Sequence, residues 1–452
     1  MIGALAVIVG LGLLALGCDD EFSSGNEDAG TGGTGGTAGT GGTGATSGSG
    51  GAGGAGGTGG AGGIPEHDGF NDNYYTCSYS GDCKVLDLDI NQNKMHLMTG
   101  YPTNRKGLIN IDSNDAMTSA SASFGTGDQY FIGEHVDGLG HIHPVQVTEL
   151  QNSFFLVPFE EDQAFMSGIA LIDDNGASKK WLLQQIKYAQ VEPILEIDLS
   201  KIQAGVIKEV DGDDRLFLIA SNKVTDSGLV LSYGIKLDGS LDQNDLKLPI
   251  YTSGQKPCAV ESLSTNEIAV LNSEGANGAS IDIINTEQQN PAQAVVATIS
   301  LGQNVKVVPL YELALTADKN YAVVAGGTGS QLTTIYIVDM VNRQVAGSID
   351  ISQYADEVRG IEIKDDKAYI STDNSAGIDK VFIVDFSSPS SPTLAQTIDV
   401  GYDLGAIAVH ESGVVFVAAT DRWYEAEGTA SERWTHMVAF DPALVDVTDG
   451  GT

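Results

Sequence analysis

Positive charge is what this chain has least of: Lys and Arg number 23 against 60 Asp and Glu, for a formal net charge of −37. So acidic a surface repels phosphate backbones and argues against nucleic acid as a partner. Catalytic signatures are missing as well. There is no GxSxG elbow, no HExxH zinc helix, no GxxxxGK[ST] phosphate loop and no dinucleotide fingerprint leading into a helix. Long apolar runs are also lacking, since Met1 to Leu16 falls short of the roughly 20 residues a membrane-spanning helix needs. Tryptophan is down to 3 residues and cysteine to 4, few enough to be placed one by one. Glycine is the opposite case, with 57 of 452 residues, a warning that part of this length never enters a core.

The apolar start ends in Leu14-Ala15-Leu16-Gly17-Cys18, small residues leading to a cysteine. This resembles a bacterial lipoprotein signal, with residues 1–17 as the leader and Cys18 as the lipidation site. The segment carries no Lys or Arg before its apolar run, which departs from that pattern. The resemblance implies a membrane partner, held through diacylglycerol on the Cys18 thiol and further acylation of the new amino group, because several acyl chains anchor stably. It places the protein in the cell envelope, at the outer membrane or cell surface in preference to the inner membrane. Residues 18–29 form a short acidic N-terminus. From Gly30 to Gly63, 20 of 34 residues are glycine and none is charged. Such a segment builds no core and reads as a disordered tether with an r.m.s. span of roughly 30 Å.

Residues 64–84 lead into the folded part, and within them Cys77 and Cys83 enclose only Ser-Tyr-Ser-Gly-Asp. In an oxidising envelope that spacing reads as a disulfide, and no second Cys or His pair follows at zinc-site spacing. Cys258, beside Ala259 and Val260, reads as a buried thiol.

Beyond Pro65 the chain turns to short runs of Val, Ile, Tyr and Phe broken by Gly, Asn and Asp, the grammar of strands and turns. One pattern recurs, a strand closing on an acidic or amide residue: Asp112, Asp173, Asp238, Asn285, Asp339, Asp385 and Asp441. A second strand precedes each copy and a first strand precedes that. A fourth follows most copies, clearest at Val345 to Ile351 and Leu394 to Val400. Four antiparallel strands repeated seven times over residues 85–449 predict an all-β fold, a seven-bladed β-propeller. The ring has two possible closures. Tyr74 to Ser80 can complete the last blade, or Leu444 to Thr448 can do so alone.

The wording of the repeats, sharpest in Lys380-Val-Phe-Ile-Val-Asp385-Phe-Ser-Ser-Pro389-Ser-Ser-Pro392, resembles the bacterial YVTN and LVIVD β-propeller repeats. Propellers of that kind recur among envelope lipoproteins, including ones that assist outer-membrane receptors for siderophores or cobalamin. The resemblance implies a monomer with a possible outer-membrane receptor or other envelope protein as partner. Fold does not fix function, so the site has to carry that argument.

Three constellations stand out. Asp87, Asp89, Asn91 and Asn93 alternate like the start of a calcium loop, but Gln92 and Met98 stand where an EF-hand needs Gly and Glu. His141 and His143 point the same way in extended chain and are candidate metal ligands, with Glu134 or Asp137 beside them. The third follows from topology, because segments leading into the inner strands and segments joining second to third strands gather around one channel mouth. They bring Arg105, Arg359, Tyr402, Arg422, Trp423, Tyr424, Arg433 and Trp434 to one face, with His143, Lys256 and Tyr311 nearby. Aromatic and arginine pairs suit flat anionic or aromatic ligands through stacking and cation-π contact.

Three functions follow as expectations. The first is capture of a ligand, such as a metal–siderophore complex, on the loop face. The second is a protein-interaction or adhesion scaffold without catalysis. The third is a propeller-type envelope enzyme such as a lactonase, which rests on fold analogy alone. No cofactor is required by any residue pattern, and a bound metal complex is the one candidate.

Overall fold

In the computed structural model the described residues are 70–445 apart from the segments 78–83, 92–93, 101–107, 113–127, 132–141, 145–147, 151–153, 162–165, 174–179, 187–198, 211–212, 223–226, 237–240, 248, 311–312, 375–377, 402–403 and 420–434. Side chains are described mainly from residue 205 onward. Among them the strands form six antiparallel sheets of a β-propeller, one of which has eight strands and divides into two blades, and in two of which the inner strand is broken in two.

Blade 1 comprises Lys84–Asn91, Lys94–Gly100, Leu108–Asp112 and Asp128–Phe131. In blade 2 an inner strand broken into Ile142–Pro144 and Thr148–Leu150 precedes Phe154–Glu161, Met166–Asp173 and Lys180–Ile186. Blade 3 is Leu199–Val210, Asp213–Asn222, Ser227–Ile235 and Leu241–Leu246. Blade 4 is Ile250–Ser264, Glu267–Glu274, Ser280–Asn285 and Val295–Ser300. Blade 5 again has a broken inner strand, Lys306–Val307 and Ala314–Leu315, before Tyr321–Gly327, Thr334–Asp339 and Gln344–Asp350. Blade 6 is Glu357–Lys364, Lys367–Asp373, Asp379–Asp385 and Thr393–Gly401.

Blade 7 takes three strands from the end of the chain, Leu404–Val409, Val415–Ala419 and Thr435–Phe440, and its outer strand from the beginning, Phe70–Cys77. Of the two closures open to the sequence, the structure thus has the N-terminal one. The register runs Phe70 opposite Phe440 to Cys77 opposite Thr435, with an irregularity between Asn71 and Tyr75. Each blade touches the next, and the inner strand of blade 7 lies against that of blade 1, so the series returns to its start.

The core lies between blades. In the third strand of blade 6, Val381 and Ile383 pack toward blade 7, while Phe382 and Val384 pack toward blade 5. In the second strand of blade 4, Ala269 and Leu271 face blade 5, and Ile268 and Val270 face blade 3. A strand buried on both faces needs apolar residues at successive positions, which is why the repeats read as Val-Phe-Ile-Val rather than as strict alternation. Phe217, Phe382, Phe416 and Phe440 are almost fully buried, each contributing on the order of 2–3 kcal/mol relative to exposure.

The recurring acidic or amide residue has a local cause. Asp339 Oδ1 accepts from the Val341 and Asn342 N–H groups at 3.0 and 2.8 Å. Asp385 Oδ1 accepts from Ser387 N–H at 2.9 Å, Asp441 Oδ1 from Ala443 N–H at 2.9 Å, and Asn285 Oδ1 from Glu287 N–H at 2.9 Å. The side chain starts the turn between third and fourth strands by capturing an amide two residues on. The Pro-containing turn after Asp385 then packs on the outer strand of blade 5, where a Cβ on Gly347 would stand 2.3 Å from Pro389 O. Only glycine fits there.

Candidate functional site

Inner strands begin, and second strands end, at one end of each blade, called here the loop end; the opposite end carries the tight turns. At the loop end a β-bulge recurs. The inner strand gains one residue against its neighbour between Val85 and Asp87, Ile202 and Ala204, Pro257 and Ala259, Val358 and Gly360, and Leu404 and Ile407. Bulges sharpen twist and re-aim side chains at the rims of β-structures. In blade 6 the extra residue is Arg359, and in blade 4 it is Cys258.

Arg359 is only 21% exposed and lies between two carboxylates: Nη2 donates to Asp373 Oδ2 at 2.6 Å and stands 3.1 Å from Glu357 Oε2. Blade 4 holds the converse arrangement. Glu274, at the end of its second strand, accepts from Lys306 Nζ of blade 5 at 2.9 Å and lies 3.5 Å from Lys256 Nζ. Partial burial works against the charge on Glu274, but the Lys306 hydrogen bond and the charges of both lysines outweigh it and hold the carboxyl below the usual carboxylate range. Lys256 sits at φ +50°, a left-handed conformation that costs a non-glycine residue about 1 kcal/mol. It marks the point where the long strand Ile250–Ser264 leaves blade 3, to which its first residues pair, and becomes the inner strand of blade 4. One rim cluster therefore carries an excess positive charge and the other an excess negative one.

Beneath the rim, Asp282 is fully buried and accepts from Ser253 N–H at 2.6 Å, Asn272 Nδ2 at 3.0 Å, Thr298 Oγ1 at 2.7 Å and Ser253 Oγ. This network pins the crossing strand to blade 4. Asn272 Oδ1 is the one buried side-chain polar atom without a hydrogen-bond partner among the described residues. Asp379, also buried, accepts from Asn374 N–H at 2.6 Å and Leu404 N–H at 3.3 Å, joining blade 6 to the inner strand of blade 7.

At the turn end, the Lys208 ammonium of blade 3 donates to Ser264 O and, at 2.8 Å, to Glu267 O in blade 4. From the other side, Lys319 Nζ of blade 5 donates to Ser262 O at 2.6 Å. Burial, with the Lys319 charge added, lowers the Lys208 pKa to about 8 despite the opposing pull of Glu267 and Glu287. The cluster staples a hairpin turn between its neighbours.

Of the residues singled out in the sequence, Arg359 is placed, and Lys256 lies in the blade next but one. Both belong to longer inner strands than expected, rather than to the segments leading into them. Arg105, Tyr402, Arg422, Trp423, Tyr424, Arg433 and Trp434 fall outside the described residues, as do Cys18, Cys83 and His141. His143 lies in the strand Ile142–Pro144 opposite Glu160, and Cys77 ends the closing strand opposite Thr435. Cys258 is buried, its Sγ 3.7 Å from Leu271 O. The carboxylates of the rim were not anticipated. Their signal is present in Asn272-Ser273-Glu274 and Ser371-Thr372-Asp373, where the second strands run out into acid.

No family model matches the chain, and neither does any curated protein. Among solved structures it is similar to the WD40 β-propeller domain of Doa1, 13% identical with TM-score 0.49 over 82% of this chain and 98% of that one. The β-propeller domain of Cps50 (Swd1) from Myceliophteria thermophila is 10% identical with TM-score 0.49 over 82% and 99%. That of the Trilobed protease from Pyrococcus furiosus, described as having an open velcro topology, is 12% identical with TM-score 0.46 over 81% and 99%.

Proposed function

We propose that this protein is a lipid-anchored recognition propeller of the cell envelope, whose loop end binds the surface of another protein. The observation that carries the reading is the paired ionic rim. Lys256 and Lys306 share Glu274, while Glu357 and Asp373 share Arg359. Lys306 and Glu357 are each 49% exposed. Charges of both signs on rigid strand ends suit a protein surface of complementary pattern, which they select and steer. A multiply charged small anion needs an excess of cations instead. In this reading Cys18 carries the lipid, residues 30–63 give reach, and a Cys77–Cys83 disulfide fastens the closing strand to the start of blade 1.

The test compares the wild-type chain with a Lys256→Glu, Arg359→Glu double variant. Envelope proteins retained by the wild type are identified at low salt, and each is then titrated in purified form. A partner whose affinity falls at least tenfold in the variant, and falls with salt in the wild type, supports the reading. Saturation by a ferric siderophore at one-to-one stoichiometry, with no protein partner lost in the variant, would favour the stretch from Arg422 to Trp434 as a small-ligand site in its place. Lipidation is tested separately. Cys18→Ser should move the protein from the detergent to the aqueous phase on Triton partitioning.

A further inference from the structure

The strand that closes the propeller is also the strand through which any pull on the N-terminal anchor must enter. Phe70–Cys77 is the outermost strand of blade 7 and, among the described residues, has one strand neighbour, Thr435–Phe440. The two are antiparallel. Phe70 lies opposite Phe440 at the turn end, and Cys77 opposite Thr435 at the loop end. The chain therefore reaches the closing strand at the turn end, whereas segment 420–434 feeds its neighbour from the loop end.

We infer that the closing pair is a shear-loaded clasp: tension between the N-terminal tether and a partner held at the loop end pulls the two strands past each other along their length. Hydrogen bonds of an antiparallel pair lie perpendicular to the strands. Force applied along the strands from opposite ends loads all those bonds together. Force applied at the same end opens them one after another. The pairs at Phe70, Asn71, Tyr75, Thr76 and Cys77 thus resist as a set when the anchor is pulled against the loop end. They yield singly when the anchor is pulled against the chain's C-terminus, because Asp441 to Val445 leave Phe440 at the turn end, beside Phe70. The fold is arranged to be strong in the direction in which an anchored, partner-bound domain is stretched. This inference rests on the proposed loop-end binding for its biological meaning, but its mechanics do not.

The experiment is single-molecule force spectroscopy on the full chain with one handle inserted between Ile64 and Pro65. The second handle sits either at Gly428, within segment 420–434, or after Thr452. Circular dichroism first verifies that both forms keep the native spectrum. The first opening event at a given loading rate should need about twofold or more force with the Gly428 handle than with the C-terminal one, because the bonds then act in parallel. Equal forces, or a stronger response to the C-terminal pull, overturn the inference. Neither lipid nor partner is present in this measurement, so a negative Cys18→Ser result sinks the envelope reading and leaves the clasp standing, and the reverse also holds.

Discussion

At the scale of single residues, buried polar groups decide more here than exposed ones. Lys208 is 7% exposed and its pKa stands at about 8 against a reference of 10.5. The folded state thus holds this proton less tightly than the unfolded chain does. Between those two pH values the unfolded chain binds the extra proton, so the Lys208 contribution makes stability rise with pH and is complete only above 10.5. Lys208→Met should remove that rise. Relative to the variant, the wild type should gain melting temperature as the pH goes from 7.5 to 9.5; parallel curves would show that Lys208 titrates normally. The upper limit stays below the range in which Tyr233, pushed up to about 12 by burial, adds its own opposite dependence.

Asp282 gives a second residue-scale prediction. Its carboxylate takes up four donors from three strands, so Asp282→Ala strands Ser253, Asn272 and Thr298 together and should cost about 3–5 kcal/mol. Asp282→Asn keeps the volume and should cost less. A chemical denaturation series that ranks Asn at or below Ala would contradict this account. None of it was legible in the sequence. Asp282 lies inside Ser-Ile-Asp-Ile-Ile-Asn285, where only the final residue fits the repeat, and nothing local reveals that a strand crosses between blades above it.

Elements were far more readable, for a physical reason. A strand packed between two neighbours must be apolar at successive positions and must end where a side chain can start a turn, so both facts are written into the residue types. The strand at Asp379–Asp385 and the turn that follows it were legible to within a residue. Broken inner strands were not. The sequence shows only Val145 to Leu150 and Glu312 to Leu315 as the inner strands of blades 2 and 5, whereas the structure adds an earlier piece to each, Ile142–Pro144 and Lys306–Val307, which Pro144 and Pro309 set apart from the rest of the apolar pattern. The candidate rim was half legible. Arg359 and Lys256 were assigned to the channel mouth by topology, yet Asp373 and Glu274, which pair with them, stand on the second strands across a hairpin, a pairing that composition does not announce. At this scale Gly347→Val should be more damaging than any surface change in the same strand, because Pro389 and Ser390 of the next blade occupy the space. A loss of at least about 2 kcal/mol is expected, read from the midpoint of urea unfolding, while Ser348→Val should be nearly neutral.

For the whole molecule, the sequence carried the fold class and left the closure open between two segments of similar character. Which terminus wins depends on contacts such as that of Phe70 with Phe440, at opposite ends of the propeller sequence, information no local pattern holds. Deleting residues 19–63 while keeping Cys18 should leave the melting temperature within about a degree, as a chain segment without a core contributes none of the stability of one. Deleting Phe70–Cys77 instead exposes the edge of Thr435–Phe440 and should cause concentration-dependent association, detectable by light scattering.

That same long separation sets an order of events. The closing strand is among the first parts of the propeller to be synthesised and has no partner until residues 435–440 exist. At translation rates of 5–20 residues per second, it waits on the order of tens of seconds. Through that interval Phe70, Tyr74 and Tyr75 belong to an unpaired strand while the other blades assemble beside it. The chain therefore depends on its nascent N-terminus being kept from pairing wrongly, and a holding factor that shields residues 70–77 should speed its maturation more than one that shields any later blade.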